Sequence, residues 1–135
     1  MKPTGSIQRT RGLTLIELMV VVAIMVIIAT IAYPLYTEQT RKSRRAEGRS
    51  ALLELAQQQE RFFTVNSRYA VTLSSLSVDA TTEHGYYTIT TTGGGTFLGT
   101  ATAAGAQASD ATCTSMTINQ LGVKSGTGAD VDKCW

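Results

Sequence analysis

The sequence predicts an α+β protein: one long N-terminal helix, apolar on every face in its first half, with a small antiparallel sheet laid on its second half. Three observations predict this. Residues 13–33 form a run interrupted only by Thr14, Glu17 and Thr30. Apolar residues at helical spacing continue to about Val65. The rest of the chain is rich in Thr, Gly, Ala and Ser, with β-favouring stretches separated by glycines.

The apolar run comes first. At roughly 1.5 Å rise per residue its length covers a hydrocarbon core of about 30 Å. Residues 18–29 carry no polar side chain on any face, which does not suit the half-buried helix of a soluble domain. A basic head and the small-residue sequence Thr30-Ile31-Ala32 also fit a cleaved secretory signal, but the run exceeds the usual signal core and contains an acid.

That acid, Glu17, needs an explanation, because an ionisable group in a membrane segment costs about 2.5–3.5 kcal/mol at the bilayer centre on insertion scales. If the chain is cut between Gly12 and Leu13, a new amine stands one helical turn before Glu17, where the helix dipole also favours a carboxylate. The paired amine can belong to the same chain or to a neighbouring subunit. An acid snorkelling to the headgroups fits the residues equally well.

The formal charge of +2 on 135 residues conceals a division. Lys2, Arg9 and Arg11 make the first twelve residues basic, and Arg41, Lys42, Arg44, Arg45 and Arg49 outweigh Glu38 and Glu47. From Ser50 onward four bases face seven acids. Both flanks of the apolar run are therefore positive, and counting bases does not orient it. Cys113 and Cys134 do, since a single cysteine pair in a small domain serves best outside the reducing cytoplasm. The C-terminal domain is expected outside and the leader inside.

Beyond Tyr33 the helix is expected to continue through Pro34 with a kink. Leu52, Leu55, Ala56, Gln59 and Phe63, with Phe62 beside them, then form a face for packing, and Asn66-Ser67 opens a loop. Strands are expected over residues 86–92, 96–103 and 112–119, with Gly93-Gly94-Gly95 as the hairpin turn between the first two. In the third, Thr114, Met116 and Ile118 fall on the inner face. The stretch 125–130 reads as a polar loop inside the twenty or so residues that a bridge between Cys113 and Cys134 would close. Such a bridge contributes about 3 kcal/mol in the chain-entropy model.

Catalysis finds no support. The lone His84 stands in a loop, Glu83-His84-Gly85, with no evident orienting partner in sequence. Two cysteines and one histidine lack zinc-site spacing, and Asp130 and Asp132 lack a complete calcium-loop signature. No cofactor motif is present: the triple glycine is followed by neither a helix pattern nor Lys-Ser/Thr.

One set of residues is more specific. Arg11-Gly12-Leu13-Thr14-Leu15-Ile16-Glu17-Leu18, a short basic leader ending in Gly followed by an apolar helix with Glu at its fifth position, resembles the leader of type IV prepilins. The stretch Ala51-Leu52-Leu53-Glu54-Leu55-Ala56-Gln57-Gln58-Gln59-Glu60-Arg61-Phe62-Phe63 with Tyr69, the sequence Thr117-Ile118-Asn119-Gln120-Leu121-Gly122, and the terminal Cys134-Trp135 are similar to PilE-type minor pilins. The resemblance implies the type IV pilin fold with a C-terminal disulfide loop closed by Cys113 and Cys134. It divides the chain into a leader of residues 1–12, a membrane and assembly helix of residues 13–33, and an exported domain of residues 34–135. It also implies cleavage after Gly12 by prepilin peptidase, N-methylation of Leu13, and a role for Glu17 in assembly.

The partners so implied are the peptidase, other pilins through helix–helix packing, the pilus assembly machinery, and the inner membrane before assembly. The implied functions include pilus biogenesis, adhesion and twitching motility. Two departures stand out: Leu13 replaces the usual Phe, and Val26 occupies a position where many relatives have Gly. Two other classes share parts of this pattern. A type II secretion pseudopilin has the leader and long helix, but the terminal cysteine pair argues against it. A membrane-tethered DNA-binding module would rest on residues 41–49, yet those bases adjoin the membrane, where lipid headgroups or acids of adjacent subunits are the usual partners. The acidic outer domain argues against nucleic acid as a partner.

Overall fold

The computed structural model describes residues 12–135; the leader bases Lys2, Arg9 and Arg11 lie outside the described residues. The first element, α1, is a helix over Leu15–Asn66 that contains Pro34 without a break in its helical assignment. The chain divides into two compact units, residues 1–37 and residues 38–135.

In the first unit every described side chain through Tyr36 is exposed. An 18-residue window here has a mean hydropathy of 2.9 and none of it is buried. A surface of that composition is long and apolar enough to cross a membrane.

The second unit holds the core. A four-stranded antiparallel sheet runs in the order β1 (Tyr87–Thr92), β2 (Leu98–Ala103), β3 (Ser115–Asn119) and β4 (Lys124–Thr127). Its inner face presents Tyr87, Ile89, Ala101, Met116 and Ile118 to Leu52 and Leu55 of α1, all buried in one cluster. Period-two alternation thus meets a helical stripe, as an α+β packing requires. Two glycines permit the close approach. A Cβ at Gly48 would collide with Met116 and Tyr87, and one at Gly99 would lie 2.7 Å from Leu55.

The strands fall close to their expected ranges, and Gly93-Gly94-Gly95 lies in the β1–β2 connection. That turn also docks on the chain beyond the helix, where Tyr69 and Gly94 exchange backbone hydrogen bonds of 2.8 and 3.0 Å. The helix stops at Ser67, whose φ of 53° ends the run, while the Asn66 amide donates to the Phe62 carbonyl.

Three expectations need correction. β4 lies in the stretch read as a polar loop: its sequence Lys-Ser-Gly-Thr has no apolar alternation, and register comes from pairing with β3, Ser115 opposite Thr127 and Ile118 opposite Lys124. Thr114 is exposed and precedes β3, so the inner face of that strand is Met116 and Ile118. Phe63 is 37% exposed and stacks on Tyr69 at 4.6 Å; the buried stripe of the helix ends at Gln59, as that face anticipates, and does not reach Phe63.

Candidate assembly and processing site

Gly12, Leu13 and Thr14 precede the helix and are exposed, so the Gly12–Leu13 bond lies in non-helical, accessible chain. Thr14 is the N-cap. Its hydroxyl accepts from the Glu17 backbone N–H at 3.2 Å, and its carbonyl accepts from Leu18 N–H at 3.2 Å. A threonine followed three residues later by glutamate is the capping-box spacing. The sequence reading of Glu17 passed over this signal. Capping places Glu17 in the first turn, at the positive end of the helix dipole, with its side chain exposed. An exposed non-helical Gly12–Leu13 bond, a capped helix start, a first-turn carboxylate and an uncovered apolar surface thus occupy consecutive positions.

The basic stretch 41–49 is placed differently from the expectation that its bases meet lipid headgroups or other subunits. Arg45 is buried and forms a two-pronged ion pair with the fully buried Asp110, with Nε–Oδ2 at 2.6 Å and Nη2–Oδ1 at 2.7 Å. Its Nη2 also lies 3.2 Å from Glu38 Oε1. Gln107 Nε2 and the Thr112 N–H complete the carboxylate at 2.8 and 3.2 Å. Burial pushes the Asp110 carboxyl upward, but the Arg45 hydrogen bond and charge outweigh it, and the group stays below the ordinary carboxylate value. The Asp110 hydrogen bond raises Arg45 in turn, against the opposing effect of burial.

The neighbouring arginines are engaged as well. Arg41 donates to Ser109 Oγ at 3.3 Å, and Arg44 donates to the Ala106 carbonyl at 3.2 Å while lying 4.6 Å from the Tyr86 ring centre. His84 does have an orienting partner: its Nδ1 lies 2.9 Å from Glu47 Oε2, and its backbone N–H donates to Glu47 Oε1 at 3.2 Å. This pair ties a loop to the helix, and no nucleophile is bonded to it among the described residues. Asp130 is paired with Lys133 at 2.8 Å.

Cys113 and Cys134 are buried and joined by a disulfide. Beside it, Lys42, Arg49 and Lys133 line a groove of about 500 Å³ together with Glu38, Asp132 and Trp135. The Trp135 indole N–H donates to the Ser125 carbonyl at 2.7 Å, and the Lys124 ammonium sits 4.9 Å from the ring centre.

A membrane-competent helix with a cap and carboxylate at its start, and a disulfide-closed helix-and-sheet domain, are the features of the pilin class. Comparisons with known proteins agree. The motif described as "Prokaryotic N-terminal methylation motif" matches residues 7–33. The family described as "Type IV minor pilin ComP, DNA uptake sequence receptor" matches residues 34–117, more than half of the chain. The chain belongs to this type IV minor pilin family.

A curated relative, the "Type IV major pilin protein PilA" of Myxococcus xanthus (strain DK1622), is 44% identical over 62 residues. That match takes in 46% of this chain and 28% of the relative's length. A solved type IV pilin from Shewanella oneidensis is 20% identical, with a TM-score of 0.49 over 62% of this chain and 89% of that one.

Proposed function

We propose that this chain is made as a prepilin, cut after Gly12, methylated on the Leu13 amine, held in the inner membrane by residues 13–33 with its domain in the periplasm, and then drawn into an extracellular fibre. The arrangement at the start of α1 carries this reading. The bond to be cut is exposed and non-helical, and Thr14 opens the helix two residues further on, so the new amine would stand within one turn of Glu17. Pairing of the Glu17 carboxylate with such an amine, in its own or a neighbouring subunit, offsets the cost of carrying an acid into an apolar environment. Prepilin peptidase, the assembly machinery and other pilins are the partners this requires. A structural role accounts for the geometry.

Mass spectrometry of the N-terminal peptide tests the processing step, with Leu13 plus one methyl group expected. A mature chain beginning at Tyr33 would show signal-peptide cleavage instead. Glu17→Ala tests assembly. The variant is expected to be cut and to accumulate in the membrane with a folded domain, yet to be depleted from sheared fibres. Its presence there at the wild-type level would reassign Glu17 to helix capping or peptidase recognition.

A second reading follows from the family description, which names a DNA uptake sequence receptor. Charge balance from Ser50 onward, four bases to seven acids, argues against nucleic acid, and the groove with Lys42, Arg49 and Lys133 includes the acids Glu38 and Asp132 in its lining. The reading is favoured if the protein retards duplex DNA and if Arg49→Gln lowers the salt dependence of binding by about one phosphate contact. Absence of retardation at low salt removes it.

A further inference from the structure

We propose that the groove beside the disulfide takes the carboxylates of a second copy of this chain, in a lateral contact that rests on the fibre-subunit reading and adds to it. The fold leaves two cations of the basic stretch 41–49 over. Arg41, Arg44 and Arg45 are bonded within the domain, whereas Lys42 and Arg49 have no hydrogen bond or ion pair among the described residues. Two helical turns separate them, so they share one side of α1. Both line the groove of about 500 Å³. Its other charges are mostly committed: Glu38 lies on Arg45 and Lys133 on Asp130, which leaves only Asp132 to face the two cations. Arg49 is partly buried, and a guanidinium that has lost part of its water and keeps its donors unused is completed best by a carboxylate.

The complement is carried by the same chain. Glu47 and Glu54, also two turns apart, lie about 140–160° around the helix from Arg49. They line a second cavity, of about 380 Å³, with Asp79 and Glu83 from the segment that precedes β1 and with no base in the lining. Glu47 is taken by His84, but Glu54, Asp79 and Glu83 have no hydrogen bond or ion pair among the described residues. One flank of α1 thus carries unpaired cations and the other unpaired carboxylates. Complementary charge of this kind sets the register of a contact and rejects like-charged neighbours. Because the two flanks differ, the contact is heterologous: each copy offers one flank and receives the other, and such contacts propagate into rings or helical filaments. Nucleic acid would engage the cations alone and leave the three carboxylates unanswered, whereas a second copy accounts for both surfaces.

The test mixes isotope-labelled and unlabelled full chain in detergent at low salt and cross-links with a carbodiimide, which joins a lysine to a carboxylate in contact with it. A peptide joining Lys42 of one isotope to Glu54, Asp79 or Glu83 of the other is expected, and added salt should remove it. Lys42→Glu with Arg49→Glu, and separately Glu54→Lys with Glu83→Lys, are each expected to weaken co-retention of two differently tagged copies about tenfold. Mixing the two reversed variants should restore it, which also shows that both are folded. Absence of the mixed-isotope link overturns the proposal, as does co-retention undiminished by either reversal or not restored by mixing. Duplex DNA binding that is lost in Lys42→Glu with Arg49→Glu while co-retention is unchanged overturns it in favour of nucleic acid. Cleavage after Gly12 and methylation of Leu13 are read separately by mass spectrometry, so failure of this contact is distinguishable from failure of the fibre-subunit reading.

Discussion

The two halves of α1 are one continuous helix in different surroundings. Residues 15–36 expose every side chain, and their sequence is apolar on all faces, as a segment with no fixed neighbour in the isolated chain must be to enter lipid or a bundle of like helices. In the second half burial returns at Arg45, Gly48, Leu52, Leu55 and Gln59, spaced alternately three and four residues apart. Only two of those five are large apolar residues. The stripe begins with a buried cation and ends with a buried amide, each satisfied by a partner on the domain. The first half is therefore specified by hydrophobicity without geometry, and the second by geometry with modest hydrophobicity. Substitutions should be tolerated accordingly.

The largest expected contrast lies at the ion pair. Asp110→Asn removes the buried negative charge and leaves Arg45 facing only the half-exposed Glu38; it is expected to destabilise the domain by about 3–5 kcal/mol, whereas Val22→Ala in the first half should leave domain unfolding unchanged. Chemical denaturation at neutral pH measures both. The pH dependence follows in sign. Because the Asp110 carboxyl is lower in the folded state than in the unfolded chain, its contribution is fully present above the ordinary carboxylate value of about 4 and is lost as pH falls through the folded value. That acid-side loss should be smaller in Asp110→Asn.

Next is the disulfide. Cys134→Ser is expected to cost about 3 kcal/mol and to loosen β4 first, because that strand has no buried large side chain of its own. Hydrogen exchange across residues 124–127 would reveal this, and equal protection with and without the bond would contradict it.

Gln59 is a smaller case of the same logic. Its amide donates to the Ala70 carbonyl and accepts from the Ala70 N–H at 2.9 and 2.8 Å, acting as a surrogate strand partner. Gln59→Ala should cost about 1–3 kcal/mol by stranding two buried backbone groups, and Gln59→Leu, despite its greater hydrophobicity, should not restore the loss. Thermal melts of the two variants decide the point.

The smallest effect is expected at the cap. Thr14→Ala should cost about 1 kcal/mol locally, fraying the first turn without altering the domain melt. Amide exchange at Glu17 is the measurement, and unaltered exchange there would show that the cap is not holding the turn.

The sequence by itself determined the apolar segment, the hairpin at Gly93-Gly94-Gly95 and the inward Leu52 and Leu55. Each of these is a local pattern: unbroken hydrophobicity, glycine punctuation, or helical spacing. Thr14-x-x-Glu17 is equally legible in the sequence as a capping box. Only the tertiary structure decided that Arg45 points inward rather than to lipid or another subunit, that Glu47 orients His84, and that Lys124–Thr127 is a strand. Arg45 and Asp110 are 65 positions apart, and neither carries a neighbouring signal of its partner. A buried ion pair forms where the fold brings opposite charges together with their remaining hydrogen bonds satisfied. An edge strand without apolar alternation is likewise fixed by the backbone groups of the strand beside it, so its register exists only once β3 is in place.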